Sequence, residues 1–160
     1  MASFDFGTAT AIVFGAGKIA EVPGLLTKFG VAKPLIVKDG RPGAAAPLTD
    51  LLDTSGVAYT SFEVKKEPST ESVEEAVALS QANGCDGVVS IGGGSVIDTG
   101  KAVAALLTNG GRPIDYMEVI GAGKSMTEPA LPFIACPTTA GTGAGQHPLL
   151  IVVRRALCTC

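Results

Sequence analysis

A run of glycines ending in a serine, Gly92-Gly93-Gly94-Ser95, has the residue types best suited to hold an anion. The apolar segment 87–91 before it predicts a buried strand, and residues 95–107 after it predict a helix. A helix that starts directly behind a strand directs its dipole and the amides of its first turn at one point, and glycines let a phosphate reach the main chain. Ser95 can donate its hydroxyl there and can also cap the helix. The segment predicts a phosphate site, with a tight turn in which the glycines serve packing alone as the alternative.

Two carboxylates lie where they can assist such a site. Asp98 follows Ser95 by three residues, so it is either half of a capping box or a contact near the ligand, and the spacing favours the cap. Asp39 stands at the carboxyl end of a predicted strand, where it can accept hydrogen bonds from a ribose, although a turn-forming Asp-Gly is the alternative. The earlier Gly15-Ala16-Gly17 lacks the third glycine of a dinucleotide fingerprint and is interpreted as a turn.

A second loop of small residues, 137–143, follows the apolar segment 133–136. It reads Pro137-Thr138-Thr139-Ala140-Gly141-Thr142-Gly143 and therefore also stands at a strand end. Because the carboxyl ends of parallel strands meet at one edge of a sheet, the two loops predict a single ligand crevice.

The elements that must position these loops alternate between β-branched runs and helical stretches. This alternation predicts an α/β fold, a parallel sheet with helices on both faces. Further strands are predicted at 11–14, 35–37 and 59–64, and a terminal one at 149–153. Helices are predicted at 18–29, with an interruption at Pro23, and at 48–54. A third helix is predicted from its start at Pro68-Ser69-Thr70-Glu71 to Gly84, and a short helix is allowed at 116–120.

Composition excludes several classes of protein. With 160 residues, 46% of them hydrophobic and 17% charged, the chain is expected to form one compact domain. The net charge of -3, without a basic surface, argues against nucleic-acid binding, and no apolar run approaches the ~20 residues of a membrane span. The N-terminus lacks the features of a secretory signal, so a cytoplasmic location is expected.

Two long motifs, residues 92–102 and 137–143, resemble the iron-containing (group III) alcohol dehydrogenases, and the resemblance covers about residues 14–144. It implies a Rossmann-like half that binds NAD or NADP and a helical half that carries the metal, of which this chain resembles only the first. We therefore expect a dinucleotide-binding domain at 1–144 and an atypical tail at 145–160. The tail begins with Gly145-Gln146-His147-Pro148, where the family has a Glu-Val-Thr type segment. A shifted reading frame or an unrelated terminus would explain this difference.

The resemblance also implies roles for individual residues. The glycine run with Ser95 would hold the pyrophosphate, Asp98 would lie near the nicotinamide, and Asp39 would hold the adenosine ribose. A carboxylate at Asp39 would repel the 2'-phosphate of NADP and so favours NAD, but Arg41, two residues on, can accommodate a phosphate and leaves NADP open. The cofactor residues implied are Asp39, Pro68, Gly92, Gly93, Gly94, Ser95, Asp98, Thr138, Thr139 and Thr142.

The family holds a divalent metal, iron or zinc, with one Asp and three His, whereas this chain has a single histidine, His147. We therefore expect no family-type metal site within the chain. The expected function is that of an NAD-dependent alcohol dehydrogenase acting on small alcohols and aldehydes, weak or inactive in this chain alone. The alternatives are a non-catalytic dinucleotide-binding module, or a structural remnant that self-associates through the strand at 11–14 into a homo-oligomer.

Overall fold

A computed structural model describes residues 11–65, 69–139 and 149–154. In these ranges the α-helices are α1 (Val22–Lys28), α2 (Ala46–Thr54), α3 (Thr70–Ala82) and α4 (Gly94–Asn109). The strands are β1 (Ala11–Gly15), β2 (Pro34–Asp39), β3 (Thr60–Val64), β4 (Gly87–Gly92), β5 (Phe133–Pro137) and β6 (Leu149–Arg154).

One sheet with the order β1-β6-β5-β4-β2-β3 forms the centre of the molecule. Strands β3, β2, β4 and β5 are parallel, and β6 pairs antiparallel with both β5 and β1. This is the predicted Rossmann-like α/β fold, extended by an antiparallel pair at one side. All six residues of β4 are buried, as expected for a central parallel strand covered on both faces.

Alternating side chains of the strands pack into two hydrophobic cores, one on each face of the sheet. Ile36 packs in one core with residues of α1 and α2, whereas its neighbours Leu35 and Val37 pack in the other with residues of α3 and α4. Successive strand residues point to opposite faces, so the helices cover both sides of the sheet. The helix residues in the first core include Val22, Leu26, Leu48 and Leu52, and those in the second include Val73, Ala76, Val96 and Val103.

Helix boundaries follow local chemistry, with two corrections. Pro23 lies in the first turn of α1, behind a 3-10 turn at Lys18–Glu21, so it begins the helix where the sequence predicted an interruption. The predicted short helix at 116–120 is wrong: a 3-10 turn forms earlier, at Pro113–Tyr116, because Pro113 favours a helix start and Met117 is already extended. The predicted start of α3 is confirmed, since Ser69 and Ser72 form a reciprocal capping box.

In the described part of the chain, no helix has the length and apolar character needed to cross a bilayer.

Candidate functional site

A cleft of about 340 Å³ opens at the carboxyl edge of the parallel strands, beside the first turn of α4. Residues from the ends of β2, β3, β4 and β5 meet there, which is where ligands bind in open α/β sheets. Its lining comprises Asp39, Arg41, Val64, Lys65, Gly93, Gly94, Ser95, Val96 and Thr139.

The glycine turn forms the floor of this cleft. Gly92 ends β4, and α4 begins two residues later with Gly93 as its N-cap. A Cβ on Gly92 would lie 2.7 Å from Cγ2 of Val96, so the turn is closely packed on that side. A Cβ on Gly94 would meet no heavy atom within 4 Å, so open space remains in front of the main chain. The first intrahelical bond is donated by Ile97 to Gly93, which directs the first-turn amides and the helix dipole outward from this point.

The second loop lies directly against the first. The backbone N–H of Thr138 donates to the carbonyl of Gly92 over 2.9 Å, and Thr139 would stand 3.5 Å from a Cβ on Gly93. The register of β4 and β5 pairs Gly92 with Pro137 and so forces this proximity. The two loops therefore share one cleft, as their predicted positions at neighbouring strand ends require.

Asp39 enters the cleft from the end of β2 and is held by Arg41. Its Oδ2 accepts hydrogen bonds from Nε and Nη2 of Arg41 over 3.0 and 2.7 Å, and its Oδ1 accepts from the Arg41 backbone N–H over 3.0 Å. These side-chain bonds lower the pKa of Asp39 below its usual value, and Asp39 in turn raises the pKa of Arg41. Nη2 of Arg41 also donates to Oγ1 of Thr138 over 3.2 Å. Asp39 is therefore ionised near neutral pH, and both of its carboxylate oxygens accept hydrogen bonds from Arg41.

Three residues of the cleft, Val64, Lys65 and Val96, were missed by the sequence reasoning. Val96 lies in the first turn of α4. Val64 ends β3 and Lys65 follows it, at the edge that β3 shares with the carboxyl ends of β2 and β4. The predicted strand at 59–64 together with this edge rule was the available signal. Lys65 adds a cation to the cleft.

The capping role predicted for Ser95 and Asp98 is wrong. The helix begins one residue earlier than predicted, with Gly93 as N-cap, so Ser95 lies within the first turn. Asp98 is exposed, pairs with Lys101 at 3.5 Å and does not line the cleft. Pro68 and Thr142 lie outside the described residues, so their predicted roles stay predictions.

Groups of metal ligands and reactive thiols are two further features that could support chemistry among the described residues. Across residues 11–65, 69–139 and 149–154, no three His, Cys, Asp or Glu side chains are grouped closely enough to hold a metal ion. The single histidine, His147, lies outside these ranges. Cys136 precedes the second loop, but burial raises the pKa of its thiol to about 12, so it stays protonated near neutral pH and serves the core.

The sequence matches the family model of the iron-containing alcohol dehydrogenases over residues 9–156. The chain belongs to the iron-containing alcohol dehydrogenase family. The resemblance inferred from the two loop motifs is thereby confirmed. The match extends beyond residue 144 and includes β6, while the division of the chain at that residue stays a prediction.

Relatives found by sequence are named as dehydrogenases of alcohols. The chain is 34% identical to the NAD-dependent methanol dehydrogenase of Bacillus methanolicus over 156 residues, which are 95% of this chain and 40% of the relative. It is 37% identical to a probable alcohol dehydrogenase of Escherichia coli, covering 88% of this chain and 34% of that protein. This chain thus spans less than half the length of the relatives it matches.

Solved structures show the same fold. A 1,3-propanediol oxidoreductase superposes with a TM-score of 0.79 at 29% identity, over 88% of this chain and 37% of that one. The sulfoacetaldehyde reductase of Bifidobacterium kashiwanohense, solved in complex with NAD+, gives 0.77 at 30% identity, over 89% and 38% of the two chains.

Proposed function

We propose that this chain is the NAD(P)-binding unit of an iron-containing-type alcohol dehydrogenase, an oxidoreductase of small alcohols and aldehydes. The observation that carries the proposal is the cleft in which the glycine turn, the start of α4 and Asp39 converge at one edge of the sheet. A helix start supplies amide donors and a positive dipole end, which suit a pyrophosphate. A carboxylate at the adjacent strand end suits the hydroxyls of a ribose.

In this proposal the pyrophosphate lies on Gly92 to Ser95, where the missing side chain of Gly94 leaves room for phosphate oxygens. Thr139 lies near Gly93, and the Thr138 N–H donates to the carbonyl of Gly92. The proposal assigns both threonines, together with Thr142, to the phosphate and adenine side of the cofactor. By the family resemblance, the proposal also assigns Asp98, which does not line the cleft, to the nicotinamide end of the cofactor, and Pro68 to a position beside the cofactor. The hydroxyls of the adenosine ribose donate to Asp39.

The proposed reaction moves a hydride from the alcohol carbon to the nicotinamide ring, while the hydroxyl proton is released and the alcohol becomes an aldehyde. The family's divalent metal would polarise the alcohol oxygen and lower its pKa. The residues of this chain do not fit that group, because the ligand set implied by the resemblance needs three histidines and the sequence contains one. The proposed role of the chain by itself is to bind and orient the cofactor. Polarisation of the alcohol oxygen by a metal is not assigned to its residues.

A direct test compares cofactor binding with turnover. The purified chain should bind NADH saturably, whereas alcohol-dependent NADH formation should be at least about 1,000-fold slower than in a full-length relative, because losing a Lewis acid costs about 4 kcal/mol in the barrier. Titration of NADH fluorescence and absorbance at 340 nm, with and without Fe(II) or Zn(II), measure the two quantities. Turnover that rises with added metal would overturn the non-catalytic role, and absence of NADH binding would overturn the whole proposal.

Self-association is the second part of the proposal, with a cytoplasmic homo-oligomer as its form. The sheet order places β1 at an edge, and Ile12 and Phe14 on it are 60% and 67% exposed. An exposed strand edge with large apolar side chains favours pairing with another copy.

We expect the chain to be larger than a monomer in multi-angle light scattering, and the substitution of Ile12 and Phe14 by lysine to reduce its mass toward that of a monomer. Lysines on an edge strand oppose pairing by charge repulsion. Substituting Val119, which is 94% exposed but distant from β1 in the sequence, by lysine is the matched control and should leave the mass unchanged. A wild-type chain that is monomeric at high concentration would contradict self-association.

A further inference from the structure

Arg41 connects the two sides of the cleft. It follows β2, and its guanidinium contacts both Asp39 and the side chain of Thr138, which follows β5. In the sheet, β4 with its glycine turn lies between those two strands. One side chain therefore spans the strand ends on either side of the proposed phosphate site, through a contact between residues 97 positions apart.

The carboxylate that would repel a 2'-phosphate is neutralised by this contact. Both oxygens of Asp39 accept hydrogen bonds from Arg41, and the carboxylate is only 20% exposed. Hydroxyls of a ribose must compete with this two-pronged ion pair for the same oxygens. An aspartate at the end of the second strand usually indicates strict preference for NAD, because its carboxylate repels the 2'-phosphate of NADP. That reasoning applies to an unpaired carboxylate, and Asp39 is paired with Arg41.

The local charges favour an added phosphate. Arg41 cancels the charge of Asp39, and Lys65 contributes a further cation to the same cleft. The neighbouring residues Lys38 and Glu63 are of opposite sign and cancel as well. Asp39, Arg41 and Lys65 therefore give the region around the ribose position a formal charge of about +1, whereas without Arg41 the charges of Asp39 and Lys65 would cancel.

Arg41 has the geometry to bind the phosphate itself. Its backbone N–H donates to Asp39, which fixes the loop, while its side chain is 63% exposed and accessible to a ligand. A guanidinium offers five N–H donors in a planar fork that matches phosphate oxygens, so it can keep one contact with Asp39 while it binds a phosphate with the others.

We propose that Arg41 determines the dinucleotide preference of this cleft, by neutralising Asp39 and offering its guanidinium to the 2'-phosphate, so that the cleft accepts NADP as well as NAD. The proposal rests on the proposed function, that the cleft holds a dinucleotide. Its consequence is dual specificity: NADPH should bind with an affinity within about tenfold of that for NADH.

The test is a pair of fluorescence titrations, with NADH and with NADPH, on the same protein. In Arg41→Ala, the Kd for NADPH should rise at least tenfold, while the Kd for NADH should stay the same or fall, because Asp39 is released for the ribose. Arg41→Lys, which retains the charge but loses the fork, should fall between wild type and Arg41→Ala for NADPH. Added salt should weaken NADPH binding more than NADH binding in the wild type, and this difference should disappear in Arg41→Ala.

Arg112→Ala is the matched control. Arg112 is as exposed as Arg41, at 68%, and is likewise ion-paired, with Glu74 at 2.9 Å, but it lies beyond the opposite end of α4. It should change neither Kd. Thermal unfolding of Arg41→Ala reports whether the exposed side chain is needed for the fold.

The outcomes separate the two proposals. A wild-type chain that binds NADH but binds NADPH more than tenfold more weakly overturns the role of Arg41 and leaves the proposed function standing. Equal weakening of both cofactors by Arg41→Ala also overturns it, because a general contact does not select. A wild-type chain that binds neither cofactor overturns the proposed function, and the role of Arg41 with it.

Discussion

Gly94→Ala should weaken NADH binding by roughly 10- to 100-fold while the fold keeps its stability. The expected loss corresponds to one charge-assisted hydrogen bond between the main chain and a phosphate, since a methyl group would occupy the open space in front of the glycine turn. The fold should tolerate it because a Cβ on Gly94 meets no heavy atom within 4 Å and the position lies in the first turn of α4. Alanine also favours a helix over glycine by up to about 1 kcal/mol.

Gly24→Ala is its control. Gly24 lies in helix α1 and a Cβ there also meets nothing within 4 Å, but it does not line the cleft. The two variants should have equal or slightly raised Tm values in thermal unfolding, and only Gly94→Ala should lose NADH affinity in titration. Unchanged NADH affinity in Gly94→Ala would show that the phosphates do not approach this turn.

Gly100→Ala should destabilise the fold by about 2 kcal/mol, or lower the Tm by roughly 6 °C. The reason is close packing between α4 and the sheet: a Cβ on Gly100 would overlap Oγ of Ser90 and lie 2.8 Å from the ring of Phe133. Ser90 donates from this hydroxyl to the carbonyl of Val96, so displacing it also loosens the first turn of α4. The variant should therefore lose both stability and NADH affinity.

Lys101→Ala is the appropriate comparison for this variant. Lys101 is the next residue of α4, is exposed and makes only a surface ion pair with Asp98 at 3.5 Å. Its loss should change the free energy of unfolding by less than about 1 kcal/mol. Thermal or urea unfolding measures both variants, and equal stabilities for Gly100→Ala and Lys101→Ala would contradict the packing argument.

Local sequence signals were sufficient for most elements of the fold. Continuous apolar runs predicted β4 and β5, and the Ser69 start predicted α3, because strand burial and helix capping each depend on a few adjacent residues. The same signals erred where two neighbouring residues competed for one role. Ser95 is a better cap than glycine by propensity, yet α4 begins at Gly94 with Gly93 as its N-cap, directly after β4 ends at Gly92.

By itself, the sequence determined that a glycine turn joins a buried strand to a helix, that a second loop ends another strand, and that one histidine cannot provide three metal ligands. These are properties of adjacent residues or of composition. Only the tertiary structure decided that β6 enters the sheet between β1 and β5 and that Lys65 lines the cleft. It also decided that Arg41 donates hydrogen bonds to both Asp39 and Thr138. Those facts depend on strand order and register, which bring together residues far apart in the chain, and no local pattern encodes that proximity.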